Sequence, residues 1–142
     1  MLSWLAGLMI RRSVRRLNAG NVGPMLSSYS KNAVLVFPGS HSWGGRYEGK
    51  ERIEEFLRRC VTSGLQFEIH EVVVSGWPWA AKIWIRLTDS AAAPDGTLVY
   101  ENRALIYAKT SLGKITYQED YEDTQKVVGF DEYLAQRERA AV

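Results

Sequence analysis

The chain has 142 residues, 46% apolar and 24% charged, the balance of one globular domain rather than of a disordered or membrane-spanning chain. Lys and Arg number 18 against 16 Asp and Glu, a net charge of +2 that supplies no basic face for nucleic acid. The lone Cys60 excludes an internal disulfide and suits a reducing, cytoplasmic compartment, and a chain this long buries enough surface to need no metal staple.

In chain order, Met1 to Ile10 is almost wholly apolar and is followed by Arg11-Arg12-Ser13-Val14-Arg15-Arg16. A secretory signal has the reverse order, and ten apolar residues are half of a bilayer span. The segment Leu2 to Leu17 therefore predicts a first helix, stopped at Asn18-Ala19-Gly20-Asn21, buried on one side with its Arg residues in water. An amphipathic anchor on lipid headgroups is the alternative, and a membrane is not the expected partner. Val22 to Ser30 predicts a short helix with Pro24 in its first turn, and Ala33 to Phe37 a buried strand ended by Pro38-Gly39. Ser40 to Gly49 predicts a loop or small hairpin. Glu51 to Val61 predicts a helix burying Ile53, Phe56, Leu57 and Cys60 at three- and four-residue spacing.

The second half changes character. Phe67 to Ser75, Trp79 to Leu87, Leu98 to Lys109 and Ile115 to Asp123 are rich in Val, Ile, Thr and aromatics and are divided by turn residues. They predict an antiparallel meander, and Phe130 to Arg139 a closing helix. Helices first and a meander afterwards give an α+β pattern, with helices on one sheet face.

This order of elements resembles the nuclear-transport-factor-two-like superfamily, and within it the SnoaL-like branch. The resemblance rests on Leu17-Asn18-Ala19-Gly20-Asn21, Tyr29 through Pro38, Tyr47-Glu48-Gly49-Lys50-Glu51, Gly113-Lys114-Ile115 and Asp120-Tyr121-Glu122-Asp123-Thr124. It implies a cone of three main helices on a strongly curved antiparallel sheet around a central pocket. The superfamily holds ketosteroid isomerases, limonene-epoxide hydrolases, polyketide cyclases, dehydratases and proteins without catalysis, so the fold alone assigns no reaction. Against the isomerases, Phe37 replaces the Asp before the proline, and Ser13 and Arg103 stand near the places of their Tyr and second Asp. Against the epoxide hydrolases, Asp120 and Arg103 match while Leu105 replaces the second Asp, and Val34 to Phe37 lack the Tyr and Asn.

On that resemblance Asp120 and Arg103 are expected to face the pocket as a catalytic pair. Asp120 is the general acid/base, and Arg103 orients it or holds an oxyanion. Strand alternation then brings Glu101, Leu105 and Tyr107 inward with Arg103, and Gln118 and Glu122 inward with Asp120. Tyr29, Phe37, Trp43 and Trp84 complete the expected substrate-binding wall. A cross-strand ion pair without chemistry is the competing reading. His70 lacks a second ligand at metal spacing, and neither a nucleophile elbow nor a glycine-rich phosphate loop occurs, so no metal and no cofactor are expected. Trp77 and Trp79 are expected on the outer sheet face, which in this superfamily packs on a second copy, so a homodimer is expected. Two functions remain open: a cofactor-independent enzyme acting on a hydrophobic cyclic small molecule, or a non-catalytic module binding a small ligand or a partner protein.

Overall fold

The computed structural model describes residues 2–142, with side chains from Trp4 onward, so Met1 of the apolar start lies outside the described residues. Among the described residues there are four helices and six strands. They are α1 (Leu2–Asn18), α2 (Gly23–Ser27), β1 (Tyr29–Phe37), β2 (Gly45–Glu48), α3 (Lys50–Thr62), β3 (Gln66–Trp77), β4 (Ala80–Ala92), β5 (Leu98–Ser111), β6 (Lys114–Glu122) and α4 (Thr124–Ala140). The strands form one unclosed sheet in the order β2-β1-β6-β5-β4-β3. The meander from β3 to β6 is antiparallel, whereas β1 runs parallel to β6. Register shifts interrupt the ladders between β3 and β4, β4 and β5, and β5 and β6, the bulges that let long strands bend round a core.

The helices lie against the concave side. In α3, Ile53, Phe56, Leu57 and Cys60 are buried, the stripe that their spacing predicts. The closing helix α4 starts earlier than expected: Asp123 caps it by accepting from the backbone of Gln125 and Lys126, and Val127 joins Phe130 and Leu134 in the core. The short helix α2 ends at Ser27, so Tyr29 opens a strand rather than closing a helix. Among the residues of α1 from Trp4 onward, Gly7, Val14 and Leu17 are buried; Trp4, Leu5, Leu8 and Met9 stand in solvent with Arg12, Arg15 and Arg16. The expected first helix is present, but Trp4, Leu5, Leu8 and Met9 near its start are not buried.

Two contacts fix the ends of the cone. Asn18 accepts from the Phe67 amide at 2.9 Å and donates to the Phe67 carbonyl at 2.8 Å, locking the end of α1 to the start of β3. Arg59 lies 3.9 Å over the Trp43 ring and donates to the Ser42 carbonyl, while Asp131 of α4 accepts from the Ser42 amide at 3.0 Å. The loop after β1 is thereby tied to α3 and α4.

Candidate functional site

Strand β6 alternates as its sequence predicts: Gln118 and Asp120 point into the core, only 8% exposed each, with Glu122 half-buried on the same side. Strand β5 has the opposite parity to the one expected. Tyr100, Asn102, Ala104 and Ala108 are buried, while Glu101, Arg103 and Leu105 are exposed. Asp120 is therefore paired across the ladder with Ile106 and does not meet Arg103, which stands opposite Thr88 on the outer face. Trp84 and Tyr107 are also on that outer face, ring to ring at 5.6 Å. The expected pair is not assembled, and of the expected wall Glu101, Leu105, Tyr107 and Trp84 lie outside. The reason is visible in β5 itself. Its charged residues Glu101, Arg103 and Lys109 all fall on odd positions and none on even ones, an alternation that puts the charges in water.

Tyr29, Phe37, Trp43 and Gln118 lie on the inner side. They line two adjoining cavities. The larger, about 620 Å³, runs between α1, α2 and the concave sheet and is lined by Leu17, Tyr29, Leu35, Ile69, Ile83, Ala108, Gln118 and Asp120. The smaller, about 50 Å³, lies under α4 and is lined by Phe37, Trp43, Tyr100, Phe130, Asp89, Asp120 and Glu122. Phe56, Cys60, Phe67, Leu87, Ile106 and Asp120 border both, so the Asp120 carboxyl stands at their junction.

A directed chain of hydrogen bonds positions Asp120. The Tyr29 hydroxyl donates to Gln118 Oε1 at 2.5 Å, which turns the Gln118 amide so that Nε2 donates to Asp120 Oδ1 at 2.9 Å. Oδ2 of Asp120 has no partner among the described residues. Burial pushes the Asp120 carboxyl up to about 7 against the pull of the Gln118 bond, and the negative charges of Asp89 and Glu119 add to the rise. Burial likewise raises the Tyr29 phenol and the Cys60 thiol far above neutrality, so both stay protonated. Asp120 is the group here that can gain or lose a proton at neutral pH.

Sequence reasoning missed a second acidic group. Asp89 on β4 is 5% exposed, and the Tyr100 hydroxyl lies 3.1 Å from both Asp89 Oδ2 and Glu122 Oε2. That hydroxyl accepts from Asn102 Nδ2 at 3.0 Å and has one proton to give, which cannot satisfy two carboxylates. Asp89 Oδ1 finds no donor among the fixed groups. A proton held on Glu122 resolves both shortages by bonding to Asp89. Burial and the Asp89 charge accordingly push the Glu122 carboxyl well up, and burial raises Asp89. The available signal was period-two: Asp89 falls among Ile83, Ile85, Leu87 and Ala91 on the inward face of β4.

Of the other candidates, Trp77 alone reaches the larger cavity. His70 is exposed, its Nε2 2.7 Å from Thr88 Oγ1. Trp77 and Trp79 stand at the tip of the β3–β4 hairpin, stacked at 5.5 Å, and Trp77 borders the larger cavity. Among the described residues no group of three His, Cys, Asp or Glu is arranged to hold a metal ion. No described helix is long and apolar enough to cross a membrane.

Solved structures share this architecture. Bal32a from a soil-derived mobile gene cassette is similar over 91% of this chain and 98% of its own, with a TM-score of 0.77 at 16% identity. An NTF2-like protein of unknown function from Burkholderia pseudomallei covers 87% of this chain and 95% of its own, with a TM-score of 0.72 at 17% identity. TerC, co-crystallised with polyporic acid, covers 87% and 95%, with a TM-score of 0.69 at 22% identity. These likenesses establish the fold. No curated protein matches the chain. The SnoaL-like domain family matches residues 10–118, from the second half of α1 to the middle of β6, and the chain belongs to that SnoaL-like family within the NTF2-like fold.

Proposed function

We propose that the protein is a small cofactor-independent enzyme that moves a proton on a hydrophobic, ring-bearing molecule held in the larger cavity. The observation that carries this reading is Asp120, a buried carboxyl raised to about 7 on the wall of a cavity of about 620 Å³. A general base works best when its affinity for the proton lies near the working pH. A mostly apolar cavity of this size suits a compact cyclic ligand, and the similarly folded TerC was co-crystallised with polyporic acid, in keeping with a small organic ligand.

In this reading the Asp120 carboxylate takes a proton from the ligand, and the carboxyl proton held by Glu122 against Asp89 serves an oxygen that builds up charge in the smaller cavity. Two carboxyls held in different protonation states divide the roles of base and acid. A cavity of about 50 Å³ takes one oxygen function of the ligand and no ring. Gln118 and Tyr29 position Asp120. Isomerisation, cyclisation, dehydration and epoxide opening all need such a transfer.

The experiment is exchange of ring C–H protons beside a carbonyl, followed by NMR in deuterium oxide over a panel of cyclic ketones. Wild-type protein is expected to catalyse exchange on at least one member, and Asp120→Asn to lower that rate about a thousandfold with the fold intact. Exchange at the wild-type rate by Asp120→Asn contradicts the acid/base role.

The outward position of Arg103 favours a second reading, a binding module without turnover, because the expected cation does not face Asp120 to hold an oxyanion. It predicts ligand retention by wild type and Asp120→Asn alike and no exchange in either. The same proposal makes the protein a cytoplasmic homodimer joined through the outer sheet face, where Leu105 and Tyr121 are 44% and 50% exposed beside the Trp84–Tyr107 pair.

A further inference from the structure

The mouth of the larger cavity is built from three places in the chain that are far apart in sequence. Helix α1 runs antiparallel to β3: Asn18 is bonded to Phe67, and Gly7 lies against Val72. The start of α1 therefore sits beside the end of β3, and Leu5, Met9 and Trp77 all border the cavity. The third element is the turn between β5 and β6, whose Leu112 amide donates to the Trp79 carbonyl at 3.2 Å.

Each of these elements presents large apolar side chains to solvent. Trp4, Met9, Trp77 and Trp79 are 69%, 64%, 66% and 59% exposed, and Leu112 is 80% exposed. Such side chains gathered at one cavity mouth mark a surface that something covers. Leu112 has a φ of 50°, a left-handed conformation that suits Gly or Asn and costs a leucine. The turn holds an apolar side chain out into water at a position where a polar residue would be more stable.

Charge says what covers the rim. At the hairpin end of the sheet Lys82 and Lys109 are exposed and face each other across the β4–β5 ladder, and Lys114 at the start of β6 borders the cavity, with no Asp or Glu in residues 72–82 or 107–118. In α1, Arg12 is exposed, borders the cavity and forms no ion pair among the described residues, whereas Arg15 and Arg16 lie at the far end of the helix beside Asn18. Arg86, farther along β4, is paired with Glu71, so the basic character of this end comes from Arg12, Lys82, Lys109 and Lys114. An apolar, Trp-bearing rim flanked by Lys and Arg complements an anionic bilayer, with the rings among the acyl chains and the cationic heads at the phosphates.

We propose that the cavity mouth docks on the surface of an anionic lipid bilayer, so that apolar ligands pass between the membrane and the cavity without crossing water. This is peripheral contact and needs no spanning helix. It stands apart from the proton chemistry of the site, because Asp120→Asn leaves the rim untouched.

The test is sedimentation of the full chain with phosphatidylcholine vesicles, with and without phosphatidylglycerol, together with tryptophan emission. Binding is expected to the phosphatidylglycerol vesicles, with a blue shift, and to weaken as salt is raised. The triple variant Trp77→Ser, Trp79→Ser, Leu112→Asn is expected to bind about tenfold more weakly, as is Arg12→Gln, Lys82→Gln, Lys109→Gln. Circular dichroism checks that each variant is folded, and Asp120→Asn is expected to bind as wild type does. Equal binding to both vesicle types, no binding, or undiminished binding by the Trp variant overturns the proposal. So does a dimer in sedimentation velocity that the Trp variant dissolves, which would give the rim to a second copy of the chain.

Discussion

Asp120 is held in an environment that opposes its own charge. A carboxyl whose proton affinity is raised on folding destabilises the fold once the unfolded chain has shed its proton. Between about pH 4 and pH 7 the native state holds a proton that the unfolded state does not, so stability falls as pH rises through that window. Asp120→Asn removes the penalty: denaturant unfolding at pH 8 is expected to show the variant more stable by about 1–3 kcal/mol. A variant less stable than wild type at pH 8 but not at pH 4 would contradict this. Asp89 adds to the rise at Asp120, so Asp89→Asn is expected to move the rising limb of any pH–rate profile to lower pH. The same residues show what the sequence made legible. Asp120 and Arg103 were both placed by likeness to a family motif; Gln118 followed from Asp120 by the two-residue period of β6, whereas Arg103 ran against the alternation of its own strand. Asp89 was missed because a lone acid in an apolar run carries no motif.

Among the elements, α4 shows how a cap decides a boundary. Its sequence is weakly amphipathic, so reading from Phe130 onward loses the first turn, but Asp123 followed by Thr124 and Gln125 is a capping signal. The turn matters to the site, because Phe130 stacks on Tyr100 at 4.5 Å over the smaller cavity. Asp123→Ala is expected to cost about 1 kcal/mol, read as a fall of about 3 °C in Tm. An unchanged Tm would mean that the cap is not what sets the start of α4. The helix α3 and the meander strands lie where periodicity puts them, since one face of each must be buried whatever the partner. The parallel pairing of β1 with β6 was not legible, because it joins distant segments and leaves no local pattern.

At the scale of the molecule, the sheet separates two surfaces with different uses. The concave side encloses the carboxyl site and opens at the basic, apolar-rimmed end; the convex side carries Trp84, Leu105, Tyr107 and Tyr121. For the proposed dimer, the double variant Trp84→Ser, Leu105→Glu is expected to sediment as a monomer where wild type sediments as a dimer. A wild-type monomer at micromolar concentration, or a dimer unaffected by the variant, would remove that interface. The central claim remains the state of one carboxyl at the junction of two cavities. Its most direct test is a carbon-13 NMR titration of the aspartate carboxyl signals, with Asp120→Asn assigning the resonance. The account predicts a midpoint at about 7; a midpoint near the ordinary carboxylate value of about 4 would contradict it.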